Sequence, residues 1–219
     1  MTQKVKTFSP WALICQSWQI VKKNLWQILG LQITFGLIYL ALLSLINIVF
    51  PTTNLSPWYY HTANSIAAIA THMCFSLGVV TLSLQFAGQK SVTWKDFFSK
   101  MHIAVPYFLA SFVAGISTVL GLICLIIPGM IIYLRLSLFS YFMIDKNMGP
   151  IEALKASWYL VKGVTWKVLG FWLLTLLLLL LGFLCFVVGL LFTLPVIMIA
   201  SALVYQTLLS AESSSIDTP

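Results

Sequence analysis

The sequence is most informative in what it lacks. Charged residues make up 8% of the chain and hydrophobic residues 60%, where soluble domains carry about 25% and about 45–50%. A water-soluble surface cannot be built from so few charges. Long stretches contain none at all: residues 24–89, 101–134 and 168–211 hold no Asp, Glu, Lys or Arg. Because a bilayer crossing needs about 20 apolar residues, the first and last of these stretches each have room for two crossings and a turn.

Acid is scarcer than base, with five Asp and Glu in the chain. These are Asp96, Asp145, Glu152, Glu212 and Asp217, and none sits in a cluster with ligand spacing, as metal-assisted hydrolysis would need. His61 and His72 share a helical face but stand about 16 Å apart along it, too far to hold one ion together, and His102 lies elsewhere. No G-x-S-x-G elbow, phosphate loop or HExxH helix occurs. The chain reads as non-enzymatic, with no metal and no cofactor. The four cysteines, Cys15, Cys74, Cys124 and Cys185, show no C-x-x-C pair and are expected to act as small buried hydrophobes. No signal peptide is expected either, since the first apolar stretch is too long and lacks a small-residue cleavage pattern.

The net charge of +7 comes in short clusters between apolar segments rather than as one basic face, which argues against nucleic acid. Eleven of the twelve basic residues fall at Lys4 and Lys6; Lys22 and Lys23; Lys90, Lys95 and Lys100; and Lys146, Lys155, Lys162 and Lys167. By the positive-inside rule these mark the cytoplasmic side and leave the Pro51–Tyr60 loop outside. Both termini are then cytoplasmic.

The sequence also repeats itself. Pro10, Ser17, Trp18, Val21, Lys22, Trp26, Leu29 and Gly30 recur 140 residues later as Pro150, Ser157, Trp158, Val161, Lys162, Trp166, Leu169 and Gly170, eight identities in 21 positions. Duplication explains this, and both copies begin on the cytoplasmic side, so the repeat is parallel. Each copy opens as an amphipathic helix, with Trp11, Ile14, Trp18 and Val21 on one face of the first and Ile151, Leu154, Trp158 and Val161 on one face of the second. Ser9 and Pro10 are the expected start of the first; Pro150 and Glu152 start the second and Gly163 closes it. Too short to span, these segments are expected to lie among the lipid headgroups. Trp11, Trp18, Trp26, Trp94, Trp158 and Trp166, with Lys22 and Lys162, are the expected interfacial anchors.

The full expectation is one all-α polytopic membrane domain over 1–219, with about six transmembrane helices in three hairpins. Crossings are expected near 25–50, 62–86, 103–126, 128–144, 165–187 and 190–210. Interfacial pieces fall at 10–23, 91–101 and 150–162, outer turns at Pro128–Gly129 and Val188–Gly189, and a disordered tail over 213–219.

Ile127-Pro128-Gly129, Arg135-Leu136-Ser137, Asp145, Gly149-Pro150, Glu152-Ala153-Leu154-Lys155, Ser157-Trp158, Lys162-Gly163 and Trp166, with Pro195 and Tyr205-Gln206, carry a resemblance. The chain resembles the bacterial membrane-domain family named after glycerophosphodiester phosphodiesterases, together with the YciC-like inner-membrane proteins. The resemblance covers most of the second half and reaches the first through the repeat. It implies a bacterial inner (plasma) membrane protein. It does not imply phosphodiesterase activity, because in the relatives that earn the name a separate soluble barrel carries the catalysis and these 219 residues contain no such barrel.

Two ionisable residues fall inside expected crossings. His72 sits on a stripe of small and polar residues, Ser65, Ala68, His72, Ser76 and Ser83, expected either to pack against other helices or to form a polar site. Arg135 has apolar helical neighbours and no acidic partner within any crossing. It is expected either to anchor the structure or to contact a lipid headgroup or solute, by snorkelling to outer-leaflet phosphates or by bonding carbonyls near Pro128 and Gly129, or Asn47 and Gln85. Ser111 and Gly115 form a small-xxx-small pair expected to pack helices or to make an oligomer contact. The leading functional expectation is a lipid-binding or membrane-organising protein, partnered by membrane lipids. The rivals are a small-solute or lipid transporter or channel, and an assembly partner of other membrane proteins or of itself.

Overall fold

The computed structural model describes residues 8–49, 57–90, 92–184 and 186–216. Among these residues there is no strand. Ten helices follow one another: α1 (Pro10–Lys23), α2 (Leu25–Val49), α3 (Pro57–Ala87), α4 (Trp94–Phe98), α5 (Ala104–Cys124), α6 (Ile126–Leu136), α7 (Phe139–Asp145), α8 (Pro150–Val161), α9 (Thr165–Leu184) and α10 (Phe186–Ile216). Six stretches are long and apolar enough to cross a membrane: α2, α3, α4 through α5, α6 with α7, α9 and α10. This is the architecture of a multi-pass membrane protein. The oily exterior agrees, since α2, α5 and α9 expose row upon row of Leu, Ile, Phe and Val, which water would not tolerate at such density.

The most extensive pairing among the described residues joins α5 to α6, followed by α9 with α10. Glycine sets the first. A Cβ on Gly129 would run into the backbone of Leu122, and one on Gly121 would meet the Gly129 Cα at 2.9 Å, so the two helices touch backbone to backbone. Gly78 plays a related part on α3, where its bare face receives the ring of Phe97 from α4. The 92–101 segment is therefore docked on the bundle, with Phe97 buried.

The turn between α5 and α6 is at Leu125, whose φ of −166° and ψ of 143° are extended. Pro128 and Gly129, expected at that turn, lie instead in the first turn of α6, where proline's missing N–H has no helical partner to lose. The expected turn at Val188–Gly189 likewise lies inside α10, which begins at Phe186. Residues 213–216, expected as disordered tail, continue that helix. Of the expected Pro51–Tyr60 loop, residues 57–60 belong to the first turn of α3; residues 51–56, Lys4, Lys6, Cys185 and residues 217–219 lie outside the described residues, as do the side chains of Asn47, His61 and Trp94. Of the remaining cysteines, Cys15 and Cys124 are exposed, not buried as expected. In an oily exterior a small apolar side chain has no need of burial.

α1 buries Leu13, Ile14, Ser17, Ile20 and Val21; α8 buries Ala153, Leu154, Ser157, Leu160 and Val161. Each position in the second set lies 140 residues after its counterpart. The face turned inward is rotated from the stripe read in the sequence. Trp11 and Ile151 are 62% and 64% exposed, and small Ser17 and Ser157 take the center of the contact with no exposure. A serine admits close approach of a neighbouring helix, whereas an indole is more comfortable at the edge. Pro10 and Pro150 open the two helices. Ser9 stands at the N-cap position without a side-chain cap bond, Glu152 accepts from the Gly149 N–H at 3.4 Å, and Gly163 takes a φ of 92° just beyond α8.

The two helices pack mainly on different partners, with α10 touching both. α1 lies on α10 and α9, while α8 lies on α7, α6 and α5.

Candidate functional site

A cavity of about 640 Å³ opens between α3, α5, α6 and α9, within the range of about 300–1,000 Å³ common for ligand pockets. Its polar wall is made of His72 and Ser76 from α3, Tyr107, Ser111 and Thr118 from α5, and Tyr133 from α6, with Ser137 just beyond α6. Met73, Val119, Leu136, Phe139 and Trp172 supply apolar wall. Among the described residues no Lys, Arg, Asp or Glu lines it.

Part of this polar wall is already bonded. Ser76 Oγ and Tyr107 Oη lie 2.9 Å apart across the α3–α5 contact. Thr118 donates to the Ala114 carbonyl at 2.8 Å and Ser137 to the Leu134 carbonyl at 2.8 Å. Ser111 also bonds the Tyr107 hydroxyl, whereas His72 and Tyr133 have no hydrogen-bond partner among the described residues. Aromatic rings stiffen the edges: Tyr107 stacks on Phe139 with centroids 5.8 Å apart, and Tyr133 lies 5.5 Å from Trp172. The result is a pre-formed chamber with donors and acceptors still to satisfy.

The small-residue stripe of α3 does not act as one surface. His72 and Ser76 face this cavity, Ser83 lines a smaller apolar one beside Pro195, and Ser65 is exposed and lines neither. Ser111 and Gly115, expected to pack helices, line the cavity instead, and a Cβ on Gly115 would meet nothing within 4 Å.

Arg135 takes a place the sequence did not suggest. It stands in the last turn of α6, where a cation is favoured by the negative end of the helix dipole, and its guanidinium lies over the Trp158 ring of α8 at 4.7 Å. Its Nε is buried without a hydrogen-bond partner. Ser157 completes the arrangement. Its hydroxyl donates to the Arg135 carbonyl at 2.7 Å and accepts from the Leu138 N–H at 3.2 Å, bridging the two backbone groups freed where α6 gives way to α7. Neither Gln85 nor the Pro128–Gly129 carbonyls serve Arg135; a tryptophan face and a helix end do. Because Trp158 belongs to the segment 140 residues after Trp18, its contact could have been sought only by asking which repeat position had changed neighbours.

The remaining anchors are more exposed. Trp26 and Trp166, repeat partners, are 88% and 83% exposed. Lys22 Nζ lies 5.1 Å above the Trp18 ring, and Lys162 is exposed at the end of α8. At the far end of α7, the Tyr205 hydroxyl donates to Asp145 at 3.0 Å and its ring stacks on Tyr141, tying α10 to α7. Among the described residues no three His, Cys, Asp or Glu side chains stand together as a metal site. No protein-family profile, curated protein or solved structure matches the chain.

Proposed function

We propose that this is a non-enzymatic, lipid-binding protein of a bacterial inner membrane, with both termini cytoplasmic and three transmembrane hairpins. The observation that carries the reading is the cavity between α3, α5, α6 and α9: hydroxyl-rich, lined by no Lys, Arg, Asp or Glu among the described residues, and set among helices of membrane length. A ligand for such a site needs an uncharged, oxygen-bearing part to meet His72 and Tyr133, and an apolar part to remain beside Met73, Val119 and Trp172. Membrane lipids with hydroxyl, ester or carbonyl groups have that form. The family resemblance and the lysine clusters support the inner-membrane placement, and the matched buried faces of α1 and α8 support duplication. In this reading α1 and α8 lie along the cytoplasmic headgroup region, and Arg135 holds the α6–α7 break against α8 rather than reaching the outer leaflet.

Native mass spectrometry of the purified protein tests this. Gly115→Phe, whose side chain has open space to enter, is expected to strip the co-purifying lipid while leaving thermal stability within about 1 kcal/mol. Retention of the same lipid at the same stoichiometry would reject the cavity as its site. A transport reading is favoured by one feature, the unpartnered His72 in the cavity wall. Solute flux into proteoliposomes that His72→Ala abolishes would put transport first.

A further inference from the structure

A second, unrelated recess lies where α1 ends beside the end of α3. We propose that it is a phosphoryl-binding cleft, independent of the cavity above. Its volume is about 340 Å³, and its polar wall consists of Gln16, Gln19, Lys23 and Asn24 from the α1 side with Gln89 and Lys90 from the α3 side. Ile20 and Phe86 form an apolar floor. Two ammonium groups and four carboxamides face one space, Asn24 also donating to the Ile20 carbonyl at 3.1 Å, and among the described residues no carboxylate lines it. Neither Lys23 nor Lys90 has an ion-pair partner among the described residues, whereas neighbouring Lys22 is occupied on the Trp18 ring. Ammonium groups supply the charge for a phosphate and carboxamides the directional bonds to its ester or glycerol oxygens.

The cleft is held by backbone, not by loose ends. Gln89 takes a left-handed φ of 52°, and the Lys90 N–H donates back to the Gln85 carbonyl at 3.0 Å, closing α3 in a Schellman-type turn. Across from it, Gln27 donates to the Val92 carbonyl at 2.7 Å, which fastens the start of α2 to the segment leaving α3. The repeat supplies the comparison that gives these residues meaning. In the second copy Gln16, Gln19, Lys23 and Asn24 are replaced by Ala156, Tyr159, Gly163 and Val164, although the buried face is kept position for position. Helix packing therefore does not require the polar set.

Phosphoryl groups reach this face either on anionic phospholipid or on soluble phosphate esters. The full chain in phosphatidylcholine nanodiscs is probed with spin-labelled phosphatidylglycerol, and in uncharged detergent with inorganic phosphate followed by phosphorus NMR. Lys23→Gln with Lys90→Gln is expected to weaken binding about fivefold for each lysine, while Lys23→Arg with Lys90→Arg keeps it. Loss in the nanodisc arm alone assigns a lipid headgroup, and loss in the phosphate arm assigns a soluble ligand. The proposal is overturned if Lys155→Gln with Lys162→Gln, the same charge change on the second copy, weakens binding equally, or if the unaltered protein prefers the anion in neither arm. Gly115→Phe leaves this binding unchanged, which separates it from the lipid cavity.

Discussion

The segments beginning at Pro10 and Pro150 start from nearly the same residues and end in different surroundings. Both bury the same five positions, both leave the following tryptophan, Trp26 or Trp166, almost fully exposed, and both run straight into a long apolar helix. The difference lies in the neighbour. α1 rests on α10 and α9, two long helices, and Ser17 turns its hydroxyl back to its own helix, donating to the Ile14 carbonyl at 2.8 Å. α8 rests on the broken crossing α6–α7, and the equivalent hydroxyl of Ser157 reaches across to serve both sides of the break. One sequence pattern thus yields a packing wedge in the first copy and a polar bridge in the second. The outward faces diverge as well, with carboxamides and lysine beside α1 and Tyr159 and Gly163 beside α8.

The tryptophans should separate the copies most strongly. Trp158→Ala is expected to cost about 3 kcal/mol, since it removes a half-buried indole from beneath Arg135, while Trp18→Ala costs under about 1 kcal/mol because that ring is already 39% exposed. Unfolding in mixed micelles measures both, and equal losses would erase the distinction. The serines give the next contrast. Ser157→Ala leaves the Leu138 N–H and the Arg135 carbonyl without their partner and should cost about 2 kcal/mol, whereas Ser17→Ala removes only a back-bond and should cost under about 0.5 kcal/mol. A matching loss at Ser17 would mean that α1 bridges something of its own. Smallest are the repeat-related glycines. A Cβ meets nothing within 4 Å at Gly30 or Gly170, so Gly30→Ala and Gly170→Ala should each leave stability unchanged or raise it by up to about 1 kcal/mol. Destabilisation at one alone would reveal a close neighbour in an assembly.

Much of the helix plan was legible in the residues. Charge-free runs announced the apolar helices, and Pro10, Pro150 and Gly163 announced helix ends. Turns were less legible, because proline and glycine at 128–129 act in a helix's first turn and in a backbone contact rather than in a bend. The cavity was half legible. His72 and Ser76 stood out as polar residues in an apolar stretch, but Tyr107 and Tyr133 did not, since tyrosine in an apolar helix is as much an interfacial ring as a hydrogen-bonding group. Ser111 and Gly115 stood out as small residues, yet within the chain they line the cavity: small side chains permit contact, and they equally leave room when no neighbour arrives.

Solvation is a property of each segment taken alone, and so the chain's residues by themselves determined that these helices are oily, where most of them run, and that two of their lead-in segments are alike. Which side chains meet depends on how helices far apart in sequence cross. That choice made Arg135 the companion of Trp158, gave Ser157 two backbone groups to bridge, and gathered hydroxyls from α3, α5 and α6 around one space. Packing of this kind turns on shape at the point of crossing, which no single stretch of sequence contains.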